Sequence, residues 1–198
     1  MARDTSKYWI DGTRWPSPSD VLASTGYNAG MMEIPRDILQ AAADRGTRTH
    51  DWCEQYTLGN PRTPDEDIAL RCGAYLDFLD EVQPDILEVE EIVKSDRLRV
   101  IGQADIVARL DGKLAVIDIK TSAKVYRSHE VQTAMYGIAV EEMRGERPDV
   151  YLLRLAKNGR YHLDQRGADR DFAAAESAAA VCWDLIEAGL FDPEAERE

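Results

Sequence analysis

Apolar positions along the chain recur first with a helical period and then with a strand period. After Pro35, the residues Ile38, Ala42, Thr49, Trp52, Cys53 and Tyr56 fall on one face at 3.6 residues per turn, and Gly59-Asn60-Pro61 ends that helix. A second helix opens near Pro64 to Asp67, aligns Ile68, Cys72, Tyr75, Leu76 and Leu79, and stops at Pro84. The period then changes: Leu87 to Val93, Leu98 to Leu110 and Lys113 to Ile119 are rich in Val and Ile and alternate as a half-buried sheet does. A helix from about Ser128 to Met143, a strand pair around Asp149 to Leu163 turning at Asn158-Gly159, and a helix from Asp171 to Leu190 complete the pattern. Upstream, Tyr8 to Trp15 reads as a small hairpin turning at Asp11-Gly12, and Pro16-Ser17-Pro18-Ser19 supplies a turn and a helix N-cap before Val21 and Leu22. This order of helices and strands predicts an α/β or α+β core.

Length and composition narrow the class without changing that picture. The 198 residues suit one domain, divided here into a hairpin and short helix (1–34), a core (35–164), a C-terminal helix (165–190) and an acidic tail (191–198). No apolar run approaches the ~20 residues of a membrane span, and Met1 to Lys7 carries no readable leader, which makes the cytoplasm the default location. Three widely spaced cysteines, Cys53, Cys72 and Cys182, match neither a disulfide framework nor a metal-binding pair and read as buried thiols. The net charge of −13 argues against a general basic surface coating nucleic acid, yet Lys94 to Gln132 holds eight basic residues against five acidic ones.

The chemistry concentrates in that basic island. Asp111-Gly112 between two alternating runs predicts a two-residue type I′ hairpin, which needs positive φ at both positions. The register then sets Leu110 opposite Lys113, Val107 opposite Val116, Asp105 opposite Asp118 and Gln103 opposite Lys120. On this reading one ribbon face carries Ala104, Ile106, Ala108, Leu110, Ala115, Ile117 and Ile119 toward the core, and the other presents Asp105, Asp118 and Lys120 together. Two carboxylates about 5 Å apart repel, and a hard divalent cation with oxygen ligands offsets that repulsion naturally. Lys120 on the same face suits a scissile phosphate or its attacking water. The residues alone leave a solvated strand face with Asp105 paired to Lys120 as an open alternative, and a bulged three-residue loop would shift the pairing by one.

The combination resembles a known family. Gly102-Gln103-Ala104-Asp105, Ile117-Asp118-Ile119-Lys120 and Gln132-Thr133-Ala134-Met135-Tyr136 are similar to the GxxD, DxK and QxxxY motifs of RecB-like nucleases in the PD-(D/E)xK superfamily, in the same order. Arg45 to His50 with Glu54 resembles that family's GxxxH helix, Glu90 its glutamate one strand earlier, and Tyr8 to Leu22 the N-terminal hairpin of phage-borne members. The resemblance implies a restriction-endonuclease-like α/β core with a mixed central sheet flanked by helices. It also implies a metal-dependent deoxyribonuclease of phage recombination or repair, acting on DNA ends in the host cytoplasm. Asp105, Asp118, Lys120 and Glu90 would be catalytic. His50, Asp105, Asp118 and the Ile119 carbonyl would bind Mg²⁺ or Mn²⁺, the imidazole favouring Mn²⁺.

Gln132 and Tyr136 would line the DNA track, and the acidic composition calls for a local basic groove, here Arg97, Arg99, Lys124 and Arg127. Relatives with an iron–sulfur cluster place several cysteines after QxxxY; only Cys182 lies there, so no cluster is expected. Two rival readings share these residues: a cleavage-deficient or partner-dependent DNA-binding protein working with a recombination or defence partner, and a hydrolase of small phosphoesters. The second lacks a Gly-rich phosphate loop.

Overall fold

The computed structural model describes residues 8–29 and 34–195. Residues 1–7, on which the expectation of no leader rests, and the last three of the acidic tail lie outside the described residues. A hairpin of β1 (Trp9–Ile10) and β2 (Thr13–Arg14) turns at Asp11 and Gly12, both at positive φ, and leads into α1 (Pro18–Ser24). Ser17 caps α1 reciprocally: its hydroxyl accepts the Asp20 N–H at 3.2 Å and the Asp20 carboxylate accepts the Ser17 N–H at 2.8 Å. Then follow α2 (Arg36–Thr57), α3 (Ala69–Val82), β3 (Asp85–Ser95), β4 (Val100–Leu110), β5 (Lys113–Lys120), α4 (Arg127–Arg144), β6 (Asp149–Leu155), β7 (Tyr161–Arg166) and α5 (Asp169–Glu187). No helix among the described residues is long and apolar enough to cross a membrane.

The large strands form one mixed sheet in the order β3-β4-β5-β6-β7. Every pairing is antiparallel except β5 with β6, where α4 makes the crossover that parallel neighbours require. The predicted turn is present, with Asp111 at φ 50° and Gly112 at φ 80°, and Leu110 pairs with Lys113 and Val107 with Val116 as expected. One sheet face packs Ile106, Ala108, Ile117 and Ile119 against Trp52, Cys53, Tyr75 and Phe78 of α2 and α3. The opposite face packs Val107, Leu114 and Val116 against Ala139 and Val140 of α4. Outside α4, residues of α1 and α5 share a cluster that joins the two ends of the chain.

Three expectations are corrected. The central strands are not half-buried: β5 is covered on both faces from Leu114 to Ile119, because the α4 crossover lies over the face expected to be open. Ile38 and Ala42 do not continue the buried stripe of α2, since that helix enters the core only from Thr49 onward and leaves Ile38 56% exposed. On α3, Leu76 is exposed and Phe78 takes its place in the core.

A further departure positions the site. Residues two apart on a strand ordinarily share a face. Val89 and its partner Ile106 nevertheless pack toward α2 and α3, whereas Ala104, the partner of Glu91, packs toward α4. Both strands turn over at the intervening pair, Glu90 and Asp105, which the ladder skips, and Glu90 holds a left-handed φ of 51° there. The ladder between β4 and β5 likewise ends at Ile106 and Ile117, one step short of Asp105 and Asp118. Two carboxylates thereby sit on the rim between the faces, within reach of helices on both.

Candidate active site

Glu90 and Asp105 meet α2 on one side and β5 with α4 on the other, around a cavity of about 350 Å³. His50 projects from α2 one turn before Glu54, which also lines the cavity. Its Nδ1 lies 3.2 Å from Asp105 Oδ1, and the Ile119 N–H donates to Asp105 Oδ2 at 2.6 Å. Ligand atoms of His50, Glu90 and Asp105 all lie within 4.8 Å of one another.

The second carboxylate has a different environment. Asp118 is 1% exposed; its Oδ2 sits 2.7 Å from Lys120 Nζ and 3.4 Å from the Thr133 hydroxyl of α4. Lys120 also donates to Gln132 Oε1 at 3.0 Å, and Gln132 Nε2 donates to the Tyr136 hydroxyl at 3.2 Å. That relay fixes the amide so that its oxygen faces the ammonium. With two acceptors engaged, one of the three ammonium N–H bonds remains for a phosphate oxygen or a water.

Electrostatics separate the two acids. Burial works against the charge on Asp105, but the His50 imidazole and Lys120 outweigh it and hold the carboxyl below its usual range. Burial pushes Asp118 up to about 6, the charge of Asp105 adds to this, and Lys120 opposes it. His50 is raised despite its burial because Asp105 favours the imidazolium. The two carboxylates thus have separate partners, His50 beside Asp105 and Lys120 beside Asp118.

The donor set nonetheless fits a divalent metal. Two carboxylates and an imidazole converge from three elements, and hard cations take such oxygen donors, with nitrogen tolerated by the transition ions. Asp118 lies outside this trio and is tied to Lys120, and Ile119 contributes its N–H to Asp105 in the observed hydrogen bonds.

Gln132, Tyr136, Lys120, Glu90 and His50 all line the cavity, together with the two aspartates. The basic groove does not assemble there. Arg97 pairs with Glu176 at 2.9 Å, Arg99 stacks 3.6 Å above the Trp183 ring beside Glu187, and Arg127 pairs with Glu130 and Asp171, so all three serve α5 and the start of α4. Lys124 alone of the four makes no ion pair among the described residues; its ammonium lies 5.0 Å from the centre of the Tyr126 ring. Sequence reasoning missed Asp51 and Thr133, whose only signal is that each directly follows a named residue, His50 and Gln132.

Gly102 shows why the first motif opens with glycine. A Cβ there would lie 2.7 Å from Tyr136 Cε1 and 2.9 Å from Pro18 Cδ, so the bare backbone admits the tyrosine ring that anchors the relay. Gly102→Ala should lower stability by about 1–3 kcal/mol through overpacking and reduce activity more than that loss explains, checked by thermal melts beside cleavage rates. An unchanged melt would contradict this packing.

His129 in the first turn of α4 gives a pH signature. Burial and then the charge of Lys120 depress it from 6.5 to about 3, and its Nδ1 accepts the Tyr126 N–H at 3.3 Å, a bond that protonation breaks. The folded state thus binds this proton less tightly than the unfolded state. Its contribution is intact above pH 6.5 and is lost as the pH falls toward 3. Urea unfolding should show a smaller loss between pH 7 and 5 for His129→Gln than for the native chain; equal losses would contradict it.

A sequence profile of the PD-(D/E)XK nuclease superfamily matches residues 70–198, which include Glu90, Asp105, Asp118, Lys120, Gln132 and Tyr136 and leave His50 outside. No curated protein matches the chain in sequence. Among solved structures, a protein of Eubacterium rectale provisionally called an exonuclease aligns over 97% of this chain and 89% of its own, at 10% identity and a TM-score of 0.57. An alkaline exonuclease from Laribacter hongkongensis aligns over 84% of this chain and 88% of its own, at 12% identity and a TM-score of 0.47. The mixed sheet and the profile agree, and the chain belongs to the PD-(D/E)XK nuclease superfamily.

Proposed function

We propose that this protein is a metal-dependent DNA nuclease of the RecB-like kind, an exodeoxyribonuclease serving phage recombination or repair. The observation that carries the reading is the convergence of His50, Glu90 and Asp105 beside an oriented lysine in one cavity. His50, Glu90 and Asp105 would hold a divalent cation, with Asp118 at its edge. When bound, that cation supplies Lewis acidity to the scissile phosphate and to the attacking water.

The chain's own residues do the rest. Asp118 and Gln132 hold the Lys120 ammonium in place, so its remaining N–H meets the charge that builds on the phosphate. Tyr136 and Gln132 form the adjoining wall, along which the strand would lie. The name of the Eubacterium rectale neighbour agrees with action at ends, although the shared fold alone does not carry the point.

End-labelled linear DNA and covalently closed circles, each incubated with Mg²⁺ or Mn²⁺ and with a chelator, test the proposal. Cation-dependent release of nucleotides from linear DNA, with the circles intact, is expected. Cutting of the circles would overturn exonuclease action, and no hydrolysis of any DNA with either cation would overturn the nuclease.

A further inference from the structure

Beside the cavity lies a group of cations that make no ion pair among the described residues. In the sheet, Lys120 pairs with Arg154 of β6, and Arg154 pairs with His162 of β7, so these three residues form one row across the carboxyl end of β5 and β6. Adjacent strands lie about 4.8 Å apart, so the row runs about 10 Å outward from the lysine. Arg154 makes no ion pair among the described residues. Its Nε is buried without a hydrogen-bond partner, and Nη1 reaches only the Ala123 carbonyl at 3.5 Å, in the loop that carries Lys124.

Beyond the row, Lys157 and Arg160 stand exposed at the β6–β7 turn, also without ion pairs among the described residues. That turn packs on α3, where the space beside Gly159 is bounded by Leu70 at 3.6 Å. In a chain of net charge −13, where the other candidate arginines are neutralised by α5 and α4, this is an unusual concentration of uncompensated positive charge.

We propose that Arg154, with Lys124, Lys157 and Arg160, forms the track that binds the phosphate backbone of DNA on the β6–β7 side of the cavity. The proposal rests on the nuclease reading and adds to it the direction in which the bound strand leaves the lysine. A guanidinium with unused N–H groups offers the paired donors that a phosphate accepts. A structural role for Arg154, tying down the 121–126 loop, makes a different prediction, because the charge would then not matter to salt dependence.

The test compares the native chain with Arg154→Gln, Arg154→Lys and the double variant Lys157→Gln, Arg160→Gln. Steady-state cleavage is measured over a range of salt concentrations, and DNA binding by anisotropy of a labelled oligonucleotide in chelator. Arg154→Gln is expected to raise KM severalfold with little change in kcat. The slope of log affinity against log salt should fall by about 0.7–0.9 for each phosphate that is no longer neutralised. Arg154→Lys should restore most of the slope, and the double variant should add to the loss on long oligonucleotides but not on ones too short to reach the turn. An Arg154→Gln chain with a lowered melting temperature and an unchanged salt slope would overturn the track in favour of loop anchoring. Unchanged KM and slope in Arg154→Gln, beside a native chain that cleaves DNA, would overturn the track alone. A native chain that binds DNA without cleaving it would sink the nuclease reading while the anisotropy slopes still decide the track, and no binding at all would sink both.

Discussion

Asp105→Asn is expected to abolish cleavage, lowering the rate by about a thousandfold or more while the chain still folds, since oriented charge at the reacting phosphate supplies effects of that order. The substitution keeps the shape of the side chain but removes the negative charge shared by His50 and the Ile119 N–H. One amide group cannot accept from both sides with equal strength, and the trio with His50 and Glu90 loses one of its two carboxylates, so its hold on a hard cation weakens. Cation uptake should therefore fall with activity. Cleavage within about tenfold of the native rate, far short of the loss expected when charge stabilisation is removed, would contradict the assignment.

Lys120→Gln is expected to lower kcat by about a hundredfold to a thousandfold through the loss of one charged donor to the phosphate, with KM and cation uptake little changed. The distinction follows from the geometry. Lys120 contacts Asp118 and Gln132 and is not among the converging ligand atoms, so its removal should leave the His50, Glu90 and Asp105 trio intact. Asp118, already raised to about 6 by burial, loses the cation that opposes that rise and should hold its proton more firmly. Kinetics with the split between kcat and KM, beside calorimetric titration with Mn²⁺, check this. Loss of cation uptake equal to that of Asp105→Asn would assign the lysine a structural role instead.

Much of the fold was legible because the signals are local. The Asp111-Gly112 turn, the alternation of β3 to β5 and the spacing of Gln132 and Tyr136 on α4 depend on neighbours a few residues away. Periodicity could not reveal that α4 covers the second face of β5, since that depends on a crossover between strands distant in sequence. Nor could it show that β3 and β4 turn over at Glu90 and Asp105, because strict alternation is the premise of the reading and the left-handed Glu90 breaks it. The surroundings of the predicted basic residues were hidden for a related reason. Proximity in sequence placed Arg97, Arg99 and Arg127 beside the site, but acids from α5 and the first turn of α4 claim them, while Arg154 enters the same row as Lys120 only through parallel pairing. That residues of the three motifs gather in one cavity was legible, and their division into a trio with His50 and a pair with Lys120 was not.

Anomalous diffraction from a crystal soaked in Mn²⁺ tests the account at its centre. A single strong peak within ligand distance of His50, Glu90 and Asp105, and absent from an Asp105→Asn crystal, is the predicted result. No peak in that cavity, or one held only by residues elsewhere, would contradict it.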